Sequence, residues 1–420
     1  MASHWLASLQ HAMGKELVDL LTCDVTELAR HLTTTPQARL EALIEQAVAH
    51  GVGPLLRNRL VRLSLFDSLP TPARDALDAR YLQESVRALA RYHELGTLVD
   101  RLEETGSQVI ALKGIYLAKA VYAEPGLRPM SDMDLLFRVE DLDDVQAALI
   151  ALGYKREGME FPPSYYPPRR HQLPAFTRDG ATGIEVHTSI ERPSAPFAID
   201  HDGIWERARP WSAGGQGILA PAPEDLLLHL CLHAVYHHRF RIGLSALIDI
   251  AQVVERESLN WGMLTARARQ WRATLPVFIG LELARRIVGA GVPAPVLASL
   301  SPKGGAEAVV SMAERTLLAD RPANRMQEDA VKHRLASPIG YMEVLDTAKG
   351  LPGWRAKLDF LLPYVFPPRA MIEEKYPKLA GTGWVGVMRG LHWLVVLGRF
   401  ARGAVVNRRY WTTLRRMGRG

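Results

Sequence analysis

At 420 residues, with 48% hydrophobic and 23% charged residues, the chain has the length for two or three domains and the composition of an ordinary globular protein. Its only cysteines, Cys23 and Cys231, show no pairing pattern, which excludes a disulfide scaffold. The net charge of +6 is uneven: Glu374 is the last acidic residue and ten Lys/Arg follow it, so the preceding chain is net acidic.

The opening residues lack the basic-then-apolar pattern of a secretory signal, and the expected location is a reducing cytoplasm. No uninterrupted apolar window reaches the length of a spanning helix. The nearest, Trp384 to Val406, is broken by Arg389, His392, Arg399 and Arg402. Residues 1–95 carry helical periodicity, as in Leu40, Leu43, Ile44 and Ala47, and a further pattern from Tyr81 through Val99 leads into the next segment. Gln108 to Leu112 reads as a strand ending at a Lys113-Gly114 turn. Tyr116 to Tyr122 reads as a short helix ended by Pro125 and Gly126.

The most informative stretch follows, Arg128-Pro129-Met130-Ser131-Asp132-Met133-Asp134-Leu135-Leu136-Phe137. A strand predicted over Met133 to Arg138 puts Asp132 and Asp134 on one face at its start. Two adjacent carboxylates repel unless a cation sits between them, and oxygen-only ligation suits Mg²⁺. Asp141 is a plausible N-cap for a helix over Leu142 to Leu152, and Gly153 marks its end. The proline-rich stretch 158–170 reads as a stiff loop, forming either one wall of a pocket or a plain surface connection.

Next, His171 to Phe176 and Gly183 to Ile190 read as a hairpin around Asp179-Gly180. Glu185 and His187 share one face of its second strand. Placed beside the aspartates, Glu185 completes a three-carboxylate cluster able to hold two metal ions and to accept a proton. Proline and glycine then mark a linker. Beyond it, Glu224 to His238 reads as a strong helix whose His229, His233 and His237 share a stripe. That stripe is open to three readings: a zinc site, a cleft lining shared with Arg241 and Asp249, or a structural helix pair. Residues 256–345 and 346–420 read as further helices without recognised chemistry. The basic C-terminus either packs on the body or meets RNA, an anionic membrane surface or a protein partner.

The order strand, glycine turn, helix, carboxylate strand, helix and hairpin with a third carboxylate resembles the DNA polymerase beta-like nucleotidyltransferase superfamily. More narrowly, the chain resembles a family of bacterial uncharacterised nucleotidyltransferases, often encoded beside polysaccharide or modified-peptide biosynthesis genes. The residues carrying this are Leu112-Lys113-Gly114, Arg128, Ser131-Asp132-Met133-Asp134-Leu135-Leu136, Gly153-Tyr154, Glu185-Val186-His187 and the histidine-rich helix. The superfamily's usual turn is Gly-Gly or Gly-Ser. Here Ile115 follows Gly114, and Lys113 supplies the charge that the missing serine cannot.

The resemblance implies an α+β fold, a polymerase beta-like core of small mixed sheet and helices embedded between N-terminal and C-terminal helical regions. The implied divisions are an N-terminal helical region over 1–95, the core over 96–195, a linker over 196–223, a cleft-lining helical domain over 224–345 and a basic helical region over 346–420. The implied activity moves a nucleoside monophosphate from ATP or another nucleoside triphosphate to a small biosynthetic product, sugar or peptide, with two Mg²⁺ or Mn²⁺ ions per site. Asp132, Asp134 and Glu185 would bind metal and catalyse. Lys113, Gly114, Arg128 and Ser131 would hold the nucleotide. His171, His187, His229, His233, Arg241 and Asp249 would line the acceptor side or support the site. The rival readings are the same transfer onto RNA or a protein side chain, and a non-catalytic nucleotide-binding module.

Overall fold

The computed structural model describes residues 13–157, 170–193, 195–212, 217–238, 243–302 and 306–318, with 354, 358, 381–388, 390, 391 and 394 beyond them. The proline-rich stretch 158–169, Arg241 and most of the basic C-terminus lie outside the described residues.

Among the described residues the chain opens with helical residues 13–22, and four helices follow: α1 (Val25–Thr34), α2 (Gln37–Ala49), α3 (Gly53–Arg62) and α4 (Thr71–Glu103). Asp24 caps α1, its carboxylate accepting from the Glu27 N–H at 3.0 Å. Leu40, Leu43, Ile44 and Ala47 are buried on α2, as their spacing predicts. The 33 residues of α4 make a rod roughly 50 Å long. It runs from α2 and α3 to the Pro125–Leu127 turn and to α6 (Leu142–Ala151), tying the helical N-terminus to the sheet.

Among the described residues seven strands form one mixed sheet: β1 (Ile110–Ala111), β2 (Asp132–Leu136), β3 (Lys155–Arg156), β4 (Phe176–Thr177), β5 (Gly183–His187), β6 (Arg209–Ser212) and β7 (Gly217–Ala220), in the order β3-β4-β5-β2-β1-β7-β6. The pairs β2–β5 and β1–β7 are parallel; β1–β2, β3–β4, β4–β5 and β6–β7 are antiparallel. Alternation divides the central strands cleanly. Met133, Leu135, Ile184 and Val186 are fully buried on one face, and Asp134, Glu185 and His187 stand on the other.

Several local expectations are revised. Helix α5 begins at Lys113, not Tyr116, and runs to Ala120. Lys113 takes a left-handed φ of +43°, so the turn expected at Lys113-Gly114 is a sharp corner leading straight into the helix. Strand β1 is short, yet the ladder reaches past it: Leu112 N–H donates to the Asp134 carbonyl and Leu219 N–H to the Val109 carbonyl, each at 3.0 Å. Only Phe176–Thr177 of the stretch before Asp179 is a strand, with one antiparallel bridge from Gln172 to His187. Asp141 makes no side-chain cap, because the 3₁₀ turn Val139–Asp141 runs straight into α6. The stretch read as a linker over 196–223 carries α7 (His201–Glu206) and the strands β6 and β7. Its Pro210 is tolerated because β6 is an edge strand.

The remaining described helices are α8 (Pro223–Leu232), α9 (Leu244–Arg256), α10 (Trp261–Gln270), α11 (Thr274–Val288), α12 (Ala294–Leu300) and α13 (Glu307–Leu317). After Leu232, α8 continues as a π-helical turn over His233–His237. Helix α8 is buried almost throughout against α9, α10 and α11. Gly280 permits a close crossing there, since a Cβ would lie 2.9 Å from Cys231 Sγ. Polar clamps join this helical layer to the sheet. Tyr122 donates to Asp249 at 2.7 Å, and Tyr116 and Arg209 both reach Glu257, at 2.6 and 2.7 Å. Among the described residues no helix is long and apolar enough to cross a membrane.

Candidate active site

The parallel register of β2 on β5 sets Asp134 directly beside Glu185, with Asp132 opposite Gly183 and Leu136 opposite His187. Two carboxylates far apart in sequence thus become lateral neighbours on one sheet face. His187, two residues beyond Glu185, leans back over the same spot. Its Nε2 lies 2.9 Å from Asp134 Oδ1 and 3.5 Å from Glu185 Oε2. Lys113 Nζ donates to the same Asp134 Oδ1 at 2.8 Å. Asp134, Glu185 and His187 are all buried, and one ligand atom from each lies within 4.8 Å of the others. No other described group of three or more His, Cys, Asp or Glu gathers in this way. The donor set is one able to hold a metal ion.

The charges balance one another. Burial alone would raise the Asp134 pKa, but Lys113 and the His187 hydrogen bond hold it well below the usual carboxylate range. Burial opposes the charge on Lys113 too; Asp134 and Glu185 reverse that and keep its pKa above the ordinary lysine value. For His187, burial is outweighed by its bonds to Asp134 and Glu185, and its pKa rises. Half-buried Asp132 behaves oppositely to its neighbour. Burial, then the charges of Asp134 and Glu185, push its pKa up to about 6, against a smaller pull from Lys113 and the Ser131 hydrogen bond.

Beside this cluster α5 begins without a side-chain cap, so its first-turn N–H groups face the site end of β1. Gly114 is required there: a Cβ would lie 2.4 Å from Arg128 Nη1 and 2.9 Å from Met130 Cγ. Arg128 lies over this glycine. It is gripped in bidentate fashion by Asp249 of α9, Nε to Oδ1 at 3.2 Å and Nη2 to Oδ2 at 2.8 Å, and its Nη1 donates to the Pro129 carbonyl at 3.2 Å. Asp249 therefore fixes Arg128, which makes no ion pair with Asp132 or Asp134. Ser131 is exposed at the strand entrance.

The histidines are linked ring to ring beside the carboxylates. The His171 ring centre is 5.6 Å from that of His187 and 5.2 Å from that of His237. The His229, His233 and His237 rings follow at 6.0 and 5.4 Å, as their stripe predicts, and His233 and His238 meet through their Nε2 atoms at 3.0 Å. Burial first, and then His187 for His171 and Lys113 for His229 and His233, holds all three well below the ordinary histidine pKa. Burial thus favours the uncharged imidazole in each. The stripe does not assemble three ligand atoms around one point, so the described residues offer no zinc site there.

Sequence reasoning missed Glu191 and Arg192. Arg192 Nη2 lies 3.1 Å from His237 Nε2, and Glu191 Oε1 lies 3.6 Å from His237 Nδ1. The available signal was their position: they follow the end of β5, four and five residues after His187.

The model of the family described as uncharacterised nucleotidyltransferase matches residues 36–289, well over half of the chain. The chain belongs to that family. The matched segment runs from the helices before the sheet, through every strand, to the end of α11. Family membership points to nucleotide transfer, and the buried Asp/Glu/His group fits the divalent metal such chemistry uses. No curated protein matches the chain.

Proposed function

We propose that the protein is a metal-dependent nucleotidyltransferase that moves a nucleoside monophosphate, AMP from ATP by default, onto a hydroxyl or phosphate of a small biosynthetic product, sugar or peptide, releasing pyrophosphate. The observation that carries this reading is the register of Asp134 against Glu185, beside the uncapped helix start at Lys113 and Gly114. The sheet and helices fit a polymerase beta-like core set between helical regions, and the chain is read as working in the cytoplasm.

In this reading Asp132, Asp134 and Glu185 would hold two Mg²⁺ or Mn²⁺ ions, which supply Lewis-acid stabilisation to the transferring phosphoryl group. The chain's own groups do the rest. Lys113 and the first-turn amides of α5 bind the triphosphate tail, with Gly114 leaving room for its approach. Arg128, fixed by Asp249, offsets negative charge near Gly114. Glu185 accepts the proton of the attacking hydroxyl. His171, His229 and His233 line the acceptor side as neutral donors and acceptors.

The test is incubation of the full chain with nucleoside triphosphates, Mg²⁺ or Mn²⁺ and an extract of pathway metabolites, followed by mass spectrometry. A product heavier by one nucleoside monophosphate, absent with Asp134→Ala, is the expected result. Nucleotide binding without added mass on any acceptor would instead mark a non-catalytic binding module. Transfer only onto RNA or protein would relocate the acceptor.

A further inference from the structure

Resting on the reading above, we infer that the inner cation position is built from Asp134, Glu185 and His187, a mixed oxygen and nitrogen set that selects a divalent first-row transition ion over Mg²⁺. Asp132 is then left for the ion that enters with the nucleotide.

Three observations carry this. The side chains that converge are not the three carboxylates of the motif. One ligand atom from each of Asp134, Glu185 and His187 lies within 4.8 Å of the others, and Asp132 is outside the group. Donor atoms bonded to one such ion at about 2.1 Å lie no more than about 4.2 Å apart. His187 Nε2 meets that limit with both carboxylates, at 2.9 and 3.5 Å.

The second observation is the register. Asp134 has Glu185 as its lateral neighbour, whereas Asp132 faces Gly183, which offers no side chain. Asp132 is also the more open of the two aspartates, at the start of β2 next to exposed Ser131. The inner position is thus protein-lined and the outer one depends on an incoming group. Third, His187 is held by the fold: it is 2% exposed, with its backbone carbonyl accepting from Phe137 N–H at 2.9 Å, and Nδ1 has no partner. Nε2 alone faces the carboxylates.

Imidazole nitrogen is a poor donor for Mg²⁺, which keeps to oxygen, and a better one for first-row transition ions, weakest for Mn²⁺ and stronger towards Co²⁺ and Zn²⁺. Lys113 shares Asp134 Oδ1 in the structure and must yield that oxygen, which frees its ammonium for the triphosphate tail.

The experiment uses the full-length wild-type protein with Mn²⁺ as the probe. Pulsed electron paramagnetic resonance of bound Mn²⁺ reads a directly ligated ¹⁴N, and ¹⁵N-histidine labelling shifts that signal without any mutation. Calorimetric titration gives Mn²⁺ and Mg²⁺ affinities. The inference expects a histidine nitrogen coupling on Mn²⁺ that is abolished in His187→Asn. It also expects a ratio of Mn²⁺ to Mg²⁺ affinity that falls by about tenfold or more in that variant. Mn²⁺ bound with oxygen ligands alone would overturn the inference and leave the nucleotidyltransferase reading intact, as would a nitrogen coupling that survives in His187→Asn. Failure to bind Mn²⁺ at all, with or without a non-hydrolysable triphosphate, would overturn both.

Discussion

Asp132 and Asp134 are two residues apart, share a sheet face and have opposite tendencies, because only Asp134 touches Lys113 and His187. Asp132 titrates near 6, above the roughly 3.9 of an unfolded aspartate. The folded state therefore holds this proton more tightly than the unfolded one. The stability it contributes is fully present below about pH 4 and is lost as pH rises through about 6. The metal-free protein is expected to be less stable than Asp132→Asn at pH 7, with the gap closing towards pH 4. Thermal melts of both proteins across that range check this, and a gap independent of pH would refute it. Lys113 invites a second test. Replacing it with Met leaves Asp134 without its ammonium partner, a loss of about 3–5 kcal/mol for a broken buried pair. A divalent cation then substitutes for the lost charge. Lys113→Met should melt lower than wild type without metal, and should gain more from added Mn²⁺.

The same residues show what was legible beforehand. Asp132, Asp134 and Glu185 could be picked out because strand alternation is local and predicts which side chains share a face. That Asp134 faces Glu185 while Asp132 faces Gly183 depends on register between strands about fifty residues apart, which no local pattern specifies. His187 could be named as sharing a face with Glu185, but its contact with Asp134 comes from the same unseen register. Arg128 is expected among the nucleotide-holding residues, but its partner Asp249 lies 121 residues away and no local pattern names it.

Among the elements, the corner from β1 into α5 decides how close a phosphate can come. It combines a left-handed Lys113 with a Gly114 pressed against Arg128 and Met130. Gly114→Ala forces a Cβ to within 2.4 Å of Arg128 Nη1. The expected cost is about 1–3 kcal/mol of stability from overpacking, together with weaker nucleotide binding as Arg128 is pushed aside. Denaturant melts and nucleotide titration measure both, and an unchanged affinity would show that Arg128 does not face the nucleotide. The helix over Leu142 and the helix from Glu224 were readable from their sequence patterns, although the Asp141 cap expected for the first is not made. The strands in 209–220 were not. They are four residues each and sit among prolines and glycines, and only pairing with β1 makes them part of the sheet.

Taken whole, the molecule joins its sheet to its helical layer through a few buried and part-buried polar clamps, among them the one at Asp249. Asp249 accepts from Tyr122 and grips Arg128, and is itself 3% exposed. Asp249→Asn removes the charge that holds Arg128. About 3–5 kcal/mol of stability should be lost with it, and pairing it with Arg128→Met should cost less than the sum of the two single changes, because they share one interaction. Additive losses in the melts would contradict that coupling. The central claim is that Asp134 and Glu185 together make a cation-dependent nucleotide site. It is tested most directly by calorimetric titration of the full chain with a non-hydrolysable ATP analogue, with and without Mn²⁺, in wild type, Asp134→Ala and Glu185→Gln. Binding should require the cation and be abolished or severely weakened in both variants while each remains folded. Nucleotide binding of equal strength without the cation, or undiminished in the folded variants, would contradict it.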